Sequence, residues 1–408
     1  MRNLETKVEL LAPAGNIKKL RNALHFGADA VYGGGKRMGL RAFADNFEPE
    51  ELSLAAALCH EKNKKFYITV NIFAQNQDFG YLKEYLQILD QAKVDALIVS
   101  DAGVVSFIKK HLPNMDIHLS TQANTTNKYA VSFWKDIGIK RVILAREMSL
   151  DEIRETADFV NGDVELEVFI HGAMCVAYSG RCLLSSYLTD RDSNRGECVQ
   201  ACRWQYKFTE ATRPNKKLTL EEDERGSYIL NSKDLCAMPF IDKIVQTGVS
   251  SLKIEGRMKS EYYVATVVNA YRKRLNDIYD GKPYDLRLME ELKKIKHRDY
   301  TEGFFFGKEA GICYRTSAPR SEYDFVAEVL GYDEEKKAII VEQRNRFYQG
   351  EELEILSPTE YDNQKLIVDR IYDKDNNIIK DCKLVQQTLY IESEIKLEKH
   401  DILRRRKA

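Results

Sequence analysis

The residue types best suited to chemistry in this sequence are cysteines gathered in one stretch, residues 165–206. The stretch begins with an apolar run, breaks at His171-Gly172, and then holds four of the chain's eight cysteines, namely Cys175, Cys182, Cys198 and Cys202. A fifth, Cys236, follows further along. In a reducing compartment, clustered cysteines are more often metal ligands or redox thiols than disulfides. The stretch therefore predicts a metal or redox site.

The spacing of these five cysteines is C-x6-C-x15-C-x3-C-x33-C. It contains no C-x2-C knuckle, which counts against a zinc ribbon or finger, and it matches neither familiar ferredoxin arrangement. Four thiolates from a folded segment can still hold an iron–sulfur cluster, because the ligand requirement is spatial. Three interpretations stay open: an iron–sulfur cluster, zinc, or unligated thiols. Cys59, Cys313 and Cys382 are expected to be packing residues.

Cations flank the cysteines, at Arg181, Arg191, Arg195 and Arg203. Fixed, planar guanidinium groups beside an open site suit a carboxylate or phosphate substrate, which they bind through paired hydrogen bonds. The alternative is that they pair with nearby carboxylates, namely Asp190, Asp192 and Glu197, and the sequence leaves both interpretations open. His171 is a candidate acid–base group, with a merely hydrogen-bonded histidine as the alternative.

The elements that must position these residues follow a repeated pattern. Short runs rich in Val, Ile and Leu alternate with amphipathic segments of helical length, which is typical of β-α units. Eight such runs are found, at 8–12, 28–32, 66–70, 96–99, 116–119, 141–144, 164–170 and 251–254. Eight strands with crossover helices predict an α/β fold, a (β/α)8 TIM-like barrel.

Polar or glycine residues follow every predicted strand. They are Pro13-Ala-Gly15, Gly33-Gly-Gly35, Asn71, Ser100-Asp101, Ser120-Thr-Gln122, Arg146-Glu147, His171-Gly172 and Glu255-Gly-Arg257. In this fold the chemistry sits at the carboxyl ends of the strands, so we expect these side chains to converge. For any one position, the alternative is that the residue is polar only because loops are exposed to solvent. Lys253 and Glu255 alternate with apolar neighbours and are expected to point together into the barrel, where a charged pair is costly unless functional or mutually satisfied.

The chain between the seventh and eighth predicted strands is far longer than an ordinary loop. It is interpreted as a cysteine-bearing insertion at about 172–250 that caps the barrel mouth, with a charged surface excursion at 209–227. A helix at 261–276 is expected to close the barrel, and a charged helix follows at 286–296. From about residue 323, short alternating runs predict a small C-terminal antiparallel β-barrel. The expected domains are 1–320 and 321–408, and the basic tail at 404–407 is expected to be solvated.

Charge and hydropathy limit the partners of the chain. Lys and Arg number 62 against 63 Asp and Glu, giving a formal net charge of -1, so any affinity for nucleic acid or membrane must come from local patches. The first residues lack the pattern of a signal peptide, and no apolar run is long enough to span a bilayer. We therefore expect a cytoplasmic protein without a membrane partner.

Five strings of the sequence resemble those of the peptidase U32 family, also called collagenase-like proteases. They are Leu11-Ala-Pro-Ala-Gly15, Gly27-Ala-Asp-Ala-Val-Tyr32, His171-Gly-Ala-Met-Cys-Val-Ala-Tyr-Ser-Gly-Arg-Cys182, Asn231-Ser-Lys-Asp-Leu235 and Ser251-Leu-Lys-Ile-Glu-Gly-Arg257. The resemblance covers essentially the whole chain. It implies a [4Fe-4S] cluster held by Cys175, Cys182, Cys198 and Cys236, with Cys202 as the alternative to Cys236.

The resemblance also implies an activity, the oxygen-independent hydroxylation of the tRNA wobble uridine to 5-hydroxyuridine with prephenate as co-substrate. The expected catalytic residues are His171, Lys253 and Glu255, and the expected substrate-binding residues are Arg146, Arg203, Arg257, Asn71 and Gln122. The expected partners are tRNA, prephenate and a second member of the family. Two alternatives stay open, a collagenase-like peptidase and a non-catalytic, cluster-bearing RNA-binding subunit. The sequence has neither H-E-x-x-H nor G-x-S-x-G, which counts against the peptidase.

Overall fold

Parallel strands form a closed barrel in the computed structural model of the chain, which describes residues 7–40, 45–175, 177–204, 222–223, 226–227, 232–307 and 321–407. The strands of this part of the chain are β1 (Glu9–Pro13), β2 (Ala30–Gly34), β3 (Lys65–Val70), β4 (Ala96–Val99), β5 (Asp116–Leu119), β6 (Arg141–Ile143), β7 (Glu165–Ala173), β8 (Glu222–Asp223), β9 (Gly226–Ser227), β10 (Asp234–Cys236), β11 (Ser251–Ile254) and β12 (Tyr300–Thr301). Strands β1 to β7 pair in chain order, and β11 pairs with both β1 and β7 to close the barrel. The predicted (β/α)8 barrel is therefore confirmed.

Helices lie between the barrel strands and cover their outer face. They are α1 (Ile17–His25), α2 (Pro49–His60), α3 (Asp78–Gln91), α4 (Ala102–His111), α5 (Lys128–Asp136), α6 (Leu150–Val160), α7 (Leu184–Thr189), α8 (Ile241–Val245), α9 (Glu261–Tyr279) and α10 (Arg287–Lys293). Several begin at a side chain that accepts a backbone N–H of the first turn, as Asn16, Asp101 and Ser260 do. These caps end each βα loop at a fixed residue, which holds the strand ends in place.

The floor of the barrel is a network of buried ion pairs. Arg141, at the start of β6, contacts carboxylate oxygens of Glu9 at 2.5 Å, Glu165 at 2.6 Å and Glu167 at 3.1 Å. The Lys253 ammonium lies 2.9 Å from the other oxygen of Glu167. Burial opposes ionisation of Glu167, but Lys253 and Arg141 hold its pKa below the ordinary value. The buried charges therefore compensate one another, as charges inside a barrel must.

Strand β7 extends past the barrel and carries the chain toward the cysteines. Its last residues pair in antiparallel register with β10, with Ala173 opposite Asp234 and Cys236 opposite His171, and β12 adds to β10. Gly172 has a φ of 107°, and a Cβ there would lie 2.5 Å from the Glu255 carbonyl oxygen. Only glycine satisfies both conditions, so β7 turns here against the end of β11.

The C-terminal part is an antiparallel sheet with its own apolar core. Its strands are β13 (Tyr323–Asp333), β14 (Ala338–Gln343), β15 (Phe347–Tyr348), β16 (Glu352–Leu356), β17 (Lys365–Ile367), β18 (Ile371–Tyr372), β19 (Asp381–Cys382), β20 (Thr388–Glu392) and β21 (Ile402–Arg406). Seven of them form one sheet in the order β17-β16-β21-β13-β14-β20-β18, and β15 pairs with β19. The sheet curves into a half-barrel, which agrees with the predicted small β-domain.

The basic tail is solvated only at its end, where Arg406 and Lys407 are exposed, and the burial of Arg404 is contrary to our expectation. The tail forms β21 in the middle of the sheet, and Arg404 is fully buried. The Arg404 guanidinium donates to Glu354 at 2.8 Å and to Glu291 of α10 at 2.6 Å. Complementary carboxylates on two domains thus draw this arginine inward, and a run of basic letters alone gives no sign of them. The predicted excursion at 209–227 lies outside the described residues, apart from the short strands β8 and β9.

Candidate active site at the barrel mouth

A cavity of about 120 Å³ opens at the carboxyl ends of the barrel strands. Its wall brings together six of the predicted substrate-binding and catalytic residues, all from strand ends, and four cysteines from the chain after β7. From strand ends come Asn71, Gln122, Arg146, Lys253, Glu255 and Arg257, and from the chain after β7 come Cys175, Cys182, Cys198 and Cys202. We call this the inner cavity, and residues 174–204 the cysteine segment. Residues far apart in the chain therefore share one small volume.

The four cysteines of the cysteine segment all line the inner cavity. The Leu184 N–H donates to the Cys182 sulfur and the Gln200 N–H to the Cys198 sulfur, both at 3.4 Å. Burial raises the pKa of the Cys202 thiol, Arg203 opposes that rise, and the other three thiols add to it. Four thiols within mutual electrostatic range, two of them already accepting backbone hydrogen bonds, suit a group that binds thiolates.

Polar contacts fasten the cysteine segment to the barrel. Arg195 binds both carboxylate oxygens of Asp78, at 2.8 and 3.0 Å, and donates to the Phe73 carbonyl at 2.8 Å. Ser179 donates twice to Glu147, from its N–H and its hydroxyl, at 2.6 Å each. Arg195 therefore forms its paired hydrogen bonds with Asp78 of α3, which was not among the carboxylates that we considered, while Asp192 and Glu197 add only electrostatic attraction.

Cys236 lies apart from the other four cysteines. It sits on β10 in the apolar core, where its sulfur is 3.9 Å from the Tyr271 hydroxyl and 3.9 Å from the Met289 sulfur. Burial raises the pKa of its thiol to about 11. It does not line the inner cavity, whereas Cys202 does. The structure thus brings Cys202, and not Cys236, next to Cys175, Cys182 and Cys198.

His171 also lies outside the inner cavity. Strand alternation from Phe169, which lines the cavity, would turn His171 inward, but the register of β7 against β11 shifts between Lys253 and Ile254. This β-bulge re-aims His171 toward Tyr271, whose hydroxyl is 3.4 Å from its Nδ1. Burial lowers the pKa of His171 to about 3, so the ring is neutral at physiological pH.

The two arginines at strand ends of the inner cavity have different partners. Arg257 is buried and donates to Thr69 at 2.6 Å, to the Leu40 carbonyl at 2.7 Å and to Asn46 at 2.9 Å. It therefore holds the chain after β2 in place. Arg146 donates to the Ala173 carbonyl at 3.1 Å, and its buried Nε has no hydrogen-bond partner among the described residues. Arg146 thus keeps donor capacity for a ligand.

Polar and charged groups that suit a small ligand line the rest of the inner cavity. The Asn71 amide donates to the Gln122 amide oxygen at 3.1 Å, which fixes two neighbouring amides at the wall. The Lys253 ammonium, paired with Glu167, lies 4.4 Å above the Tyr32 ring centre. Glu255 lines this cavity and a second one. The cavity thus offers cations for an acid and amides for the edge of a base.

A second cavity, also of about 120 Å³, lies on the other side of the cysteines. Cys175, Cys198 and Cys202 line both cavities, and Arg203, Met258 and Lys259 line only this outer cavity. Burial lowers the pKa of Lys259; Asp234 opposes this, while Arg298 and Arg203 add to it. The cysteines therefore separate an inner cavity from an outer cavity with two basic side chains.

Comparison with known proteins identifies this arrangement. The family model of peptidase family U32 matches residues 15–313, and the model of the peptidase family U32 C-terminal domain matches residues 321–404. The chain belongs to peptidase family U32. The U32 relatives include proteins named for RNA hydroxylation and proteins named for proteolysis.

Three U32 relatives show this range. The tRNA hydroxylation protein P1 of Bacillus subtilis is 44% identical over 382 residues, covering 92% of this chain and 89% of that protein. The tRNA hydroxylation protein P of Haemophilus influenzae is 40% identical, covering 86% of each chain. A protein of Porphyromonas gingivalis named collagenase is 32% identical, covering 86% of this chain and 87% of that protein.

Several residues of this U32 chain escaped the sequence analysis. Lys259 and Met258 follow the last predicted strand end by only one or two residues, so the strand-end rule extended slightly would have found them. The buried pair of Asp234 and Arg298, with oxygen and nitrogen 2.6 Å apart, joins distant segments and left no local pattern. Arg203 was predicted, but it lines the outer cavity and not the inner one.

Two further findings concern only the described part of this U32 chain. No three of its His, Cys, Asp and Glu side chains are grouped closely enough to hold a single metal ion. None of its helices is long and apolar enough to cross a membrane.

Proposed function

We propose that this chain hydroxylates the wobble uridine of tRNA at C5, giving 5-hydroxyuridine, in an oxygen-independent reaction with prephenate as co-substrate. The observation that carries the proposal is the convergence of four thiols, two amides and several cations on one cavity at the barrel mouth. Support comes from relatives named tRNA hydroxylation proteins, which match this chain along most of its length.

The four cysteines of the inner cavity fit a [4Fe-4S] cluster, which requires four thiolates from one region. Cys175, Cys182, Cys198 and Cys202 would hold it, because they line one cavity and two of their sulfurs already accept backbone N–H groups. Cys236 fits less well, since it lies in the core against Tyr271. When bound, the cluster would supply one-electron transfer.

The side chains at strand ends would bind the two substrates. Prephenate carries two carboxylates, and Arg146, whose Nε has no hydrogen-bond partner among the described residues, offers a complementary charge. The charge of Lys253 is already balanced by Glu167, so Lys253 would shape the wall of the cavity and would not bind a carboxylate. The fixed amides of Asn71 and Gln122 offer both donors and acceptors to the edge of uracil. The uracil must leave its base stack before it can enter the cavity, and unstacking a base of the anticodon loop costs little free energy. Arg257 would position the chain around the cavity without touching substrate.

Replacing C5–H by C5–OH is a two-electron oxidation of the uracil ring. It balances when prephenate gives its ring hydroxyl to C5, takes a hydrogen in its place and is reduced by the same two electrons. Glu255 lines both cavities and is the candidate group to accept the proton lost from C5. His171 is not proposed for this role, because it is buried among tyrosines and its pKa is lowered to about 3. A water-restricted cavity would protect the reactive ring from side reactions.

Nucleoside analysis of tRNA tests the proposal. We expect tRNA from a strain lacking this gene to lose 5-hydroxyuridine under anaerobic growth, and the wild-type gene to restore it. Complementation with Cys175→Ala should leave the nucleoside absent, while the control Cys382→Ala, in the C-terminal core, should restore it. Unchanged 5-hydroxyuridine in the deletion strain, with every other U32 gene also removed, would refute the proposal.

The competing candidate is proteolysis, favoured by a relative named collagenase. Incubating the purified chain with denatured collagen distinguishes the two functions. We expect no cleavage that tracks the protein through purification and disappears in Cys175→Ala. A non-catalytic RNA-binding subunit would instead tolerate Cys175→Ala in the complementation assay, provided that the variant still binds RNA.

A further inference from the structure

An apolar and aromatic surface lies on the outside of the cysteine segment. Its members are large side chains that the fold leaves exposed, namely Tyr178, Leu183, Tyr187, Leu188 and Trp204, with Met258 beside them at the outer cavity. Tyr187 is 88% exposed and Trp204 is 42% exposed. Helix α7, which carries Tyr187, packs against the turn that precedes Trp204. We call these six residues the mouth face.

Large exposed apolar groups lose the free energy that burial would give them, so a cluster of them marks a binding surface. The mouth face differs from scattered surface residues because it adjoins the outer cavity and its cations. Trp204 follows Arg203 directly, and Met258 precedes Lys259. Each cation of the outer cavity is therefore the chain neighbour of a large exposed side chain of the mouth face.

The two cations of the outer cavity have no carboxylate partner within 4 Å among the described residues. Arg203 donates to the neutral amide of Gln200, and the Lys259 ammonium lies 5.1 Å from the Tyr263 ring centre. Behind them, the charge of Arg298 is already balanced by Asp234. Glu255 lines the same cavity, and both Asp234 and Glu255 act electrostatically on Lys259. Arg203, Lys259 and Arg298 exceed these two carboxylates by one positive charge, which an external anion would balance.

We propose that the mouth face and the outer cavity bind single-stranded RNA, with bases stacked on Tyr187 and Trp204 and a backbone phosphate at Arg203 and Lys259. Stacking rings beside cations is the chemistry that binds unpaired nucleotides, because every base has a π-face and every linkage has a charge. A protein partner would need apolar groups and carboxylates together, which fits the exposed rings less well. The inference rests on the proposed function and deepens it, since it assigns the loop around the target uridine to the outer side of the cysteines.

Fluorescence anisotropy with the full-length protein tests the inference. The probe is a labelled RNA hairpin with a uridine-containing loop, titrated at several salt concentrations, and a blunt RNA duplex of the same length is the comparison. We expect Trp204→Ala and Tyr187→Ala each to weaken hairpin binding by roughly 5- to 100-fold. The slope of log affinity against log salt should stay unchanged, because neither variant removes a charge.

The charged variant should behave differently. We expect Lys259→Gln to weaken binding and to reduce the salt slope by about one, as loss of one phosphate contact does. The matched controls are Phe133→Ala on α5, whose ring is exposed, and Lys110→Gln on α4. Both lie outside the mouth and should bind the hairpin like the wild type. Circular dichroism and visible absorbance show whether each variant keeps its fold and its cluster.

The outcomes separate this inference from the proposed function. If Trp204→Ala and Tyr187→Ala bind the hairpin as tightly as the wild type, the mouth face is not the RNA surface, whatever the nucleoside analysis shows. If both variants lose hairpin binding while the deletion strain keeps its 5-hydroxyuridine, the RNA-binding surface is supported and the proposed hydroxylation is refuted. Equal loss of binding in the Phe133→Ala control would also overturn the inference.

Discussion

Arg141 and Arg146 lie five positions apart in the chain, yet the barrel uses them in opposite ways. Arg141, in the floor, contacts three carboxylates and is fully paired. Arg146, at the mouth, contacts one carbonyl and the Phe169 ring and keeps a free donor. In barrels of this class, the amino-terminal face serves stability and the carboxyl-terminal face serves chemistry. The same residue type is therefore fully paired at one end of the barrel and keeps an unpaired donor at the other.

The same contrast separates the buried thiol of Cys236 from that of Cys202. We expect Cys202→Ala to abolish the visible absorbance of anaerobically purified protein and tRNA modification, while leaving the thermal transition of the barrel in place. Cys236→Ala should keep both and should lower the free energy of unfolding by only on the order of 1 kcal/mol, because it leaves a small cavity. Absorbance spectra and urea unfolding of the two variants measure their visible absorbance and their free energies of unfolding. The reverse pattern would place Cys236 among the ligands.

Replacing each of the two arginines by methionine sharpens the comparison between the floor and the mouth of the barrel. Arg141→Met leaves Glu9 and Glu165 without their counter-charge and Glu167 with Lys253 alone, and should lower the free energy of unfolding by roughly 3–5 kcal/mol. Arg146→Met should cost less than about 1 kcal/mol, because its partners are neutral, and yet reduce modification by roughly 10- to 100-fold through loss of a charged hydrogen bond. Urea denaturation and nucleoside analysis of the same two variants provide the measurements. Similar free energies of unfolding for the two variants would contradict the division between a floor that serves stability and a mouth that serves chemistry.

The pH dependence of stability tests whether His171 belongs to the core. Its folded pKa of about 3 lies below the ordinary value of 6.5, so the unfolded chain binds a proton that the folded chain does not. Above pH 6.5 the group contributes nothing to the pH dependence, and between pH 6.5 and about 3 stability falls by up to about 1.4 kcal/mol per pH unit. We expect His171→Asn to flatten the stability profile in this window. An unchanged slope would mean that His171 is accessible to protons when folded.

The smallest effect is expected where the cysteine segment is fastened to α3. Arg195→Lys keeps the charge but loses the paired hydrogen bonds to Asp78, and should cost about 1 kcal/mol or less, since both groups are partly exposed. The loss should be local, so limited proteolysis should cut the cysteine segment faster while urea unfolding of the barrel hardly changes. Arg154→Lys, at an exposed pair on α6, is the control and should change neither.

The strands were the most predictable part of the molecule. Runs 96–99, 116–119 and 251–254 match β4, β5 and β11 residue for residue. The first is a continuous apolar run and the other two alternate polar and apolar residues, and both patterns are typical of strands. The strand-end rule also placed Asn71, Gln122 and Arg146 at one cavity. Composition and periodicity carry this information locally, so the sequence alone predicts it.

The remainder depended on contacts that leave no local pattern. The bulge that turns His171 away from the cavity arises from the register of β7 against β11, which are far apart in the chain. The burial of Arg404 depends on Glu291 and Glu354, and the orientation of Arg195 depends on Asp78. Which cysteines face one another likewise follows from tertiary packing and not from their spacing.

The antiparallel pairing of Ala173 with Asp234 has a consequence for how this protein can change. The segment that carries the cysteines begins after Ala173 and ends before Asp234, and these two residues are paired. The two ends of the segment therefore stay adjacent whatever its length. Closing a loop costs only about 0.6 kcal/mol more for each doubling of its length. Evolution can therefore insert, delete or substitute residues in this segment, and so change the choice of substrate, while the barrel folds as before.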